Sequence, residues 1–348
     1  MDTGGRVIAQ KFRFLERRKM RIGYRGVVVF FFFLIQTESW GGLELKVNGT
    51  EYISLKEVAG KLGLKRDWIQ RRKRILLQSK WTRMEFEVHQ RDIRINKVRV
   101  FLGFPVTYHR SDLYISRLDL KDTIYPILTP QIGLPVPNLK RIAIDAGHGG
   151  KDPGTQNAKL GLLEKHLVLD VSRRLGVILE GKGYEVVYTR ERDRYIGLTD
   201  RVQNTNRRGV DLFLSIHFNG IESPRVSGSE TYVFTPRNQP STRNKSVGSS
   251  ARKYYAGNKN NNWSTLIGFY VQDEMIRQLG TVDRGVKRAR WTVLRDLTCP
   301  GIMVEAGFIT NPTEGRRIKE AAYRQKIAKV VSEGVLRYHK TLVRLRKR

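Results

Sequence analysis

The chain has 348 residues, of which 40% are hydrophobic, so it is long enough for two domains and is not of disordered composition. Its single cysteine, Cys299, excludes an intramolecular disulfide framework and a cysteine-rich zinc module. Lys and Arg number 65 against 33 Asp and Glu, and the resulting net charge of +32 favours polyanionic partners: nucleic acid, an anionic membrane, or a carboxylate- and phosphate-rich cell wall.

Residues 1–39 form a basic leader with an apolar segment, VVVFFFFLI, at positions 27–35. The segment is too short to span a bilayer but is typical of the hydrophobic part of a signal peptide. Met20 is an alternative start, from which MRIGYRG supplies a short positive region. The leader predicts export to the periplasm or cell envelope, with a membrane-tethered form or a buried β-strand as alternatives. In an exported protein, the wall or the lipid surface is a better partner for the positive charge than nucleic acid.

Residues 43–128 predict a small α+β module. It opens with LELKVNGTEYISLKEVAGKLGL, which predicts a strand, a turn at Asn48-Gly49, a second strand and a helix capped by Ser54. The later segments MEFEVHQRDIRINKVRVFLG and SDLYISRLDL alternate as short strands do.

Two interpretations compete for this module. The segment LKEVAGKLGLKRDWIQRRK, with a turn at Gly63, is compatible with a DNA-binding helix-turn-helix. The whole order of elements, a hairpin, a helix and then strands, resembles the copper amine oxidase N-terminal-like domain. We favour that resemblance, which implies a module attached to an exported wall enzyme. An unclassified small domain stays open as a third interpretation.

Residues 129–139 separate the module from the rest of the chain with the sequence TPQIGLPVPNL. Pro130, Pro135 and Pro137 predict an extended, semi-rigid linker.

Residues 140–345 alternate between apolar strands and amphipathic helices. The strands are expected at 140–145, 185–188, 212–216, 227–234 and 301–304, and the helices at 164–182, 198–208, 262–279 and 321–339. This order predicts an α/β fold with three layers, in which helices flank a largely parallel, twisted sheet. Ligands of such sheets lie beyond the carboxyl ends of the strands, where His148, His217 and Glu305 are expected to converge.

The glycine-rich segment IAIDAGHGGKDPGT presents His148 directly after a strand. A phosphate-binding loop is excluded, because Asp145 stands where its first glycine is required and Asp152 where a Ser or Thr is required. We expect Asp145 to orient His148 as a hydrogen-bond acceptor.

Glu164, in GLLEKHLVLDV, begins a helix and shares its apolar face with Leu167. A carboxylate on that face needs a partner or a metal ion. The equal alternative is that Glu164 has no metal role and stands there because a helix N-terminus stabilises a negative charge. His217 ends the strand LFLSIHFNG; alone it would be a satisfied core residue, but with His148 at an equivalent strand end it indicates a metal ligand. Asn219 is expected to support this site.

Glu305, in GIMVEAGFITNP, follows another buried strand. It is a candidate general base, with a paired core carboxylate as the alternative. Arg284, in DRGVKRA, is expected to bind an anionic group of the substrate, unless it belongs to a surface basic run.

The segment from about 140 to 339 resembles the zinc-dependent N-acetylmuramoyl-L-alanine amidases of the amidase 3 family. The resemblance rests on the order of the four motifs, on DRGVKRARWTVLRD and on VEAGFITNP. It implies Zn²⁺ held by His148, Glu164 and His217, with Glu305 as the catalytic glutamate. It further implies a peptidoglycan hydrolase that cleaves the amide between N-acetylmuramic acid and L-alanine.

Two rival functions stay open. One is a non-catalytic wall- or nucleic-acid-binding protein, and the other is a zinc amidohydrolase of soluble acyl-amino acids. The expected partner is peptidoglycan, and the basic surface is expected to add an anionic wall polymer or a membrane surface. The polar segment 236–263 shows no apolar helix that would plug the site, so we expect open access to it.

Overall fold

The computed structural model describes residues 45–133 and 135–347, and the side chains of residues 132 and 133 are not described. The predicted leader at 1–39 therefore lies outside the described residues. Within the described ranges, no helix has both the length and the apolar character needed to cross a membrane.

The first part of the structure is a set of short strands around one helix. Ser54 caps this helix by accepting a hydrogen bond from the Glu57 amide at 3.1 Å, and Gly63 ends it in the left-handed conformation with φ 61°. The predicted turn at Asn48-Gly49 joins the first two strands. The elements are β1 Leu45–Val47, β2 Thr50–Ser54, α1 Leu55–Leu62, β3 Lys65–Gln70, β4 Arg74–Gln78, β5 Arg83–Glu87, β6 Asp92–Ile95, β7 Val98–Phe101, β8 Thr107–His109 and β9 Asp112–Ser116.

The helix-turn-helix interpretation is wrong. The segment expected as its second helix is strand β3, which pairs antiparallel with β4 through partners such as Trp68 and Ile75. Cross-strand pairing in the folded chain overrides the local pattern that resembled a helix.

The connection after β9 is mostly helical. It contains α2 Arg117–Asp119, a π-helical turn Leu120–Ile124, α3 Tyr125–Leu128 and a 3₁₀ helix Pro130–Gly133. The first half of the predicted linker is thus a tight turn and not an extended segment. At the start of the connection, buried Asp119 joins α2 to the segment after β7 by accepting hydrogen bonds from the Gly103 and Phe104 amides at 2.6 and 3.0 Å.

The second part alternates strands and helices, as the sequence predicts. Its strands are β10 Arg141–Ala146, β11 Gln156–Asn157, β12 Leu162–Leu163, β13 Glu185–Tyr188, β14 Leu212–Asn219, β15 Ser229–Phe234, β16 Asp283–Ala289 and β17 Gly301–Phe308. Its helices are α4 Glu164–Glu180, α5 Leu198–Arg207, α6 Ser249–Arg252, α7 Asn261–Glu274, α8 Thr292–Arg295, α9 Pro312–Lys319 and α10 Ala321–Arg346, with 3₁₀ turns at Ala158–Leu160 and Ala256–Asn260 and a π-helical turn at Met275–Leu279.

The main sheet is mixed, with strand order β13-β10-β14-β17-β15-β16-β7-β6-β5-β4-β3. The expectation of parallel strands holds for β13, β10, β14 and β17, whereas β15 runs antiparallel to β17 and β3 to β7 form antiparallel pairs. Helices α4 and α7 pack against strands of this sheet, and α10 packs against both of these helices.

The sheet runs continuously across the predicted boundary between the two parts. Strand β7 pairs in parallel with β16 at Val100 and Val286, and strands β1, β2, β9 and β8 form a separate four-stranded sheet. The described residues belong to one compact unit.

Candidate metal centre and active site

His148 is presented by the tight loop that follows β10. His148, Gly149 and Gly150 all have positive φ angles, of 58°, 128° and 57°, so the chain turns sharply away from the sheet. The Nδ1 atom of His148 lies 2.8 Å from Asp152 Oδ2, and its Nε2 atom lies 3.2 Å from Glu164 Oε1. The contact with Asp152 fixes the ring so that Nε2 faces Glu164.

Glu164 is the first residue of α4 and is 2% exposed. Its Oε1 atom lies 2.9 Å from His217 Nδ1 and accepts a hydrogen bond from the Phe218 amide at 3.0 Å, while Oε2 accepts one from the Thr155 amide at 2.8 Å. Burial opposes the charged form, but the contacts with His148 and His217 outweigh it and hold the pKa of Glu164 well below its usual value. The buried carboxylate is therefore ionised.

His217 lies on β14 and packs against the backbone of Gly147. The His148 and His217 rings are 4.9 Å apart with an interplanar angle of 80°. A methyl group on Gly147 would lie 2.2 Å from His217 Cε1, and one on Gly154 would lie 2.7 Å from both Glu164 Oε2 and His148 Cδ2. Two glycines thus leave the space that the three side chains occupy.

Glu305 lies beside this cluster on β17, as the register partner of His217 on one side and of Glu230 on the other. Its Oε2 atom is buried and has no hydrogen-bond partner among the described residues. Burial, reinforced by the carboxylates of Glu164 and Glu230, raises the pKa of Glu305 well above its usual value. A nearby cation would lower that pKa again.

The residues present fit a divalent cation. His148, Glu164 and His217 each offer one ligand atom, and these atoms lie within 4.8 Å of one another. Two imidazoles and a carboxylate form a donor set that zinc sites use, and the set leaves a coordination position open. Glu305, whose buried Oε2 has no hydrogen-bond partner among the described residues, lines the same cleft as these three side chains.

The expected contact between Asp145 and His148 is not present, because other residues occupy both carboxylate oxygens. Oδ1 accepts hydrogen bonds from Arg201 and Thr189, each at 2.6 Å, and Oδ2 accepts one from Ser215 at 2.7 Å. The carboxylate that contacts His148 belongs to Asp152, four residues along the same loop. Asp145 instead neutralises a buried arginine.

Two buried arginines that the sequence interpretation missed hold the loop carrying His148. Arg190 donates to the carbonyls of Ala146 and Gly147 at 2.9 and 2.7 Å, and Arg201 donates to those of Ala146 and His148, both at 2.7 Å. Burial lowers the pKa of Arg190 to about 10. These guanidinium groups satisfy backbone carbonyls that the turn takes out of the sheet.

Asn219 and Arg284 both lie against Glu230 and not against His148, Glu164 or His217. Asn219 Nδ2 donates to Glu230 Oε1 at 2.7 Å, Arg284 Nε donates to Oε2 at 3.1 Å, and Lys287 also contacts Oε2. Glu230 is 1% exposed; burial opposes its charge, but Lys287 and Arg284 hold its pKa below the usual value. The available sequence signal for Glu230 was a charged residue inside the predicted strand SGSETYVF.

A cleft of about 610 Å³ opens over these residues. His148, Glu164, His217 and Glu305 line it together with Asp145, Asp152, Asn219 and Arg201, whereas Arg284 is not among its lining residues. Its other walls include Tyr195 and Leu198, which are 50% and 55% exposed, and Trp291. The cleft combines a polar floor with partly apolar walls that an extended substrate can contact.

Residues 142–337 match the family model of Amidase_3, described as N-acetylmuramoyl-L-alanine amidase, which is more than half of the chain. The chain belongs to this family. Members of the family are metal-dependent, in agreement with the His-Glu-His cluster in the cleft.

Named relatives share this part of the chain. N-acetylmuramoyl-L-alanine amidase LytC of Bacillus subtilis is 34% identical over 199 residues, which cover 57% of this chain and 35% of LytC. AmiA of Escherichia coli is 31% identical over 218 residues, which cover 57% of this chain and 75% of AmiA. Among solved structures, AmiC2 of Nostoc punctiforme is 29% identical with a TM-score of 0.48, covering 58% of this chain and 97% of that one. The matched segment thus spans about a third of LytC and three quarters of AmiA.

Proposed function

We propose that this chain is a peptidoglycan hydrolase that cleaves the amide between N-acetylmuramic acid and L-alanine. The observation that carries the proposal is the unpartnered oxygen of Glu305, which lies beside the His-Glu-His cluster in one open cleft. Membership of the amidase family supports the choice of substrate.

A divalent cation held by His148, Glu164 and His217 would supply a Lewis acid that polarises the amide carbonyl and acidifies a water molecule. Glu305 takes the proton from that water as its oxygen adds to the carbonyl carbon. As the carbon–nitrogen bond breaks, Glu305 returns the proton to the leaving nitrogen. Glu230 stays charged, because Lys287 and Arg284 neutralise it, and so it does not compete for the proton.

Zn²⁺ is the cation we propose, because imidazole nitrogens with a carboxylate are a frequent zinc donor set. Other divalent ions bind such sites too, so metal analysis of the purified protein decides its identity. Zinc at about one ion per chain is the expected result, and a different dominant metal would contradict this part of the proposal.

The test of the activity is digestion of purified peptidoglycan by the full chain, with and without a chelator, followed by mass analysis of the soluble products. We expect free peptides that begin with L-alanine, released from uncut glycan. The chelator and Glu305→Gln should both abolish the release, whereas Glu333→Gln, a change of the same type on α10, should not. Glycan fragments that still carry their peptides would contradict the proposed bond.

The same digestion, run beside an assay with a soluble acyl-amino acid and a peptidoglycan-binding measurement, separates the rivals. Binding to peptidoglycan without any released product would favour a non-catalytic wall-binding protein. Hydrolysis of a soluble acyl-amino acid without action on peptidoglycan would favour the amidohydrolase alternative.

We further propose that the basic surface binds an anionic wall polymer. Lys340, Arg344 and Lys347 line a groove of about 720 Å³ along the end of α10, and no acidic partner is recorded for them among the described residues. Co-sedimentation with wall fragments should weaken steeply as salt rises and should weaken when these three residues are changed to Gln. If the three changes weakened binding to anionic lipid vesicles but left binding to wall fragments unchanged, the groove would be assigned to a membrane surface.

Export to the periplasm or cell envelope, through the leader at 1–39, completes the proposal. Protein sequencing of the mature N-terminus from a fractionated cell checks it, and an intact leader in the cytosolic fraction would contradict it. The resemblance of the first part of the chain to the copper amine oxidase N-terminal-like domain stays a prediction.

A further inference from the structure

Part of the cleft surface is apolar and aromatic, in contrast to the ligand cluster on its floor. Five of the residues that line the cleft form this surface, which we call the apolar wall: Tyr195, Ile196, Leu198, Trp291 and Val293. Tyr195 and Leu198 are 50% and 55% exposed, so the wall keeps apolar side chains in contact with water. Large exposed apolar side chains that cluster in a concave site mark a ligand-binding surface. None of the five takes part in the proton transfers of the proposed mechanism.

The apolar wall is built by the beginnings of two helices that pack together. Leu198 is the first residue of α5, and Trp291 immediately precedes α8. Helix α5 packs against α8, and Val202 of the first and Leu294 of the second belong to one cluster of buried residues. Because both helices begin at the cleft, their first residues lie side by side along it.

The loop that carries Tyr195 packs directly on the turn that presents His148. A methyl group on Gly150 would lie 2.6 Å from the Tyr195 amide nitrogen and 3.2 Å from its Cβ, so only a glycine permits this approach. Asp193 ties the two loops together, because it accepts hydrogen bonds from the Gly150 amide and from Lys165, each at 2.7 Å. The position of Tyr195 relative to the ligand cluster is therefore fixed by the main chain.

Both aromatic side chains of the apolar wall are also held by neighbouring groups. The Lys151 ammonium lies over the Tyr195 ring, 4.7 Å from its centroid, which is the geometry of a cation–π contact. The Trp291 ring lies 4.2 Å from that of Tyr232, whose hydroxyl donates to Glu230 at 2.8 Å. Rings that are ordered before a ligand arrives lose little conformational entropy when it binds.

We propose that the apolar wall binds a sugar ring of the glycan chain, and that Tyr195 stacks against this ring. The inference rests on the proposed amidase function and assigns the glycan side of the substrate to one surface of the cleft. A pyranose ring presents C–H groups on its faces, and these groups pack on the electron-rich face of an aromatic ring. The peptide side presents amides and carboxylates, which suit the polar lining residues such as Thr155 and Asn219.

The experiment measures binding of two soluble probes to the full chain by titration calorimetry. One probe is the peptide-free tetrasaccharide of two N-acetylglucosaminyl-N-acetylmuramic acid units, and the other is the free stem peptide that begins with L-alanine. Neither probe contains the amide that is cleaved, so binding is measured without turnover. Salt at about 0.5 M screens attraction between the basic surface and the carboxylates of both probes.

Tyr195→Ala should weaken binding of the tetrasaccharide by about tenfold and leave binding of the peptide within about twofold of the wild type. Tyr195→Phe should bind the tetrasaccharide as the wild type does, because the ring face and not the hydroxyl makes the contact. Tyr254→Ala is the matched control, since Tyr254 is 62% exposed but is not among the residues that line the cleft. It should leave both affinities unchanged.

Two further measurements separate stacking from a general structural effect. On a soluble glycan chain that carries its peptides, the loss of kcat/KM in Tyr195→Ala should lie in KM, because Tyr195 binds substrate away from the reacting amide. Asp193→Asn should weaken tetrasaccharide binding less than Tyr195→Ala does. Since Asp193 acts through the position of Tyr195, the double variant should be no worse than Tyr195→Ala alone. A thermal melt of each variant shows whether the fold is retained.

The inference would be overturned if the wild type did not bind the tetrasaccharide, or if Tyr195→Ala weakened both probes equally or only the peptide. An effect of Tyr254→Ala as large as that of Tyr195→Ala would overturn it too. These outcomes leave the amidase function intact, provided that the wild type still releases peptides from peptidoglycan. A wild type that binds the tetrasaccharide through Tyr195 but releases no peptide would instead overturn the proposed function and retain the sugar site.

Discussion

A single methyl group on Gly147 should destroy the metal site. The ideal position of that methyl carbon is 2.2 Å from His217 Cε1 and 2.4 Å from Nε2, although ordinary contacts begin near 3.4 Å. The imidazole would have to move by roughly 1 Å, whereas metal–ligand distances tolerate only about 0.2 Å. Gly147 has no positive φ angle, so Gly147→Ala adds no backbone strain and isolates this steric effect. We expect metal affinity to fall by at least about a hundredfold, since disturbing even an outer partner of a ligand costs ten- to a hundredfold.

The assay is a competition titration against a chromophoric chelator, with metal content measured after dialysis. Overpacking should also lower the free energy of unfolding of the metal-free protein by about 1–3 kcal/mol. Gly60→Ala is the control, because a methyl group there meets nothing within 4 Å and Gly60 lies in an exposed helix position. It should raise stability by about 0.5–1 kcal/mol and leave the metal in place. Full metal occupancy and unchanged affinity in Gly147→Ala would refute the close packing on which this reasoning depends.

Three further outcomes follow from the buried charges of the site. Glu305→Gln should keep its metal but lose about 10²–10⁴ in kcat, measured on a soluble muramoyl peptide; loss of metal instead would make Glu305 a ligand. Asp145→Asn should lower the free energy of unfolding by about 3–5 kcal/mol, because it leaves Arg201 buried without its counter-charge. The pKa of Asp145 is depressed in the fold despite its burial, chiefly by Arg201, so its contribution is present above about pH 4 and is lost as pH falls through the folded-state pKa. Urea titrations should therefore show a shallower dependence on pH below about 4 in Asp145→Asn than in the wild type, and equal slopes would contradict the ion pair. Arg190→Met should lower the free energy of unfolding by about 3 kcal/mol or more and raise the rate of metal release. Unchanged stability with slow metal release would show that the His148 loop keeps its conformation without Arg190.

The sequence was sufficient to place the three ligand candidates together. His148 and His217 follow apolar runs that were predicted to be buried strands ending at the same sheet edge, and these strands, β10 and β14, are parallel neighbours in the structure. Glu164 was expected on the buried face of its helix, and it is 2% exposed. Periodicity and strand ends determine such positions, because they depend on local pattern and on one general rule of sheet topology.

The partners of these residues could not be predicted in the same way. Asp145 was assigned to His148 from proximity in sequence, but its carboxylate contacts Arg201, which lies 56 residues away. Contacts of this kind depend on which side of a strand each residue faces and on how closely two helices or loops approach. Neither periodicity nor motif spacing contains that information. The pairing of β7 with β16 was missed for the same reason, since it depends on a few main-chain contacts between distant segments.

The need for buried donors, however, follows from the loop itself. A turn in which three successive residues have positive φ angles cannot keep its carbonyls in the sheet, and buried carbonyls need partners. Arginine suits this task because one guanidinium reaches several carbonyls at once, as Arg190 and Arg201 do. Asp145 neutralises one of the two charges, and both arginines then restrain the residues on either side of Gly147. The position of His148 thus depends on its main chain as much as on Asp152. For this reason we expect faster release of the metal to be the first effect of removing a guanidinium, as in Arg190→Met.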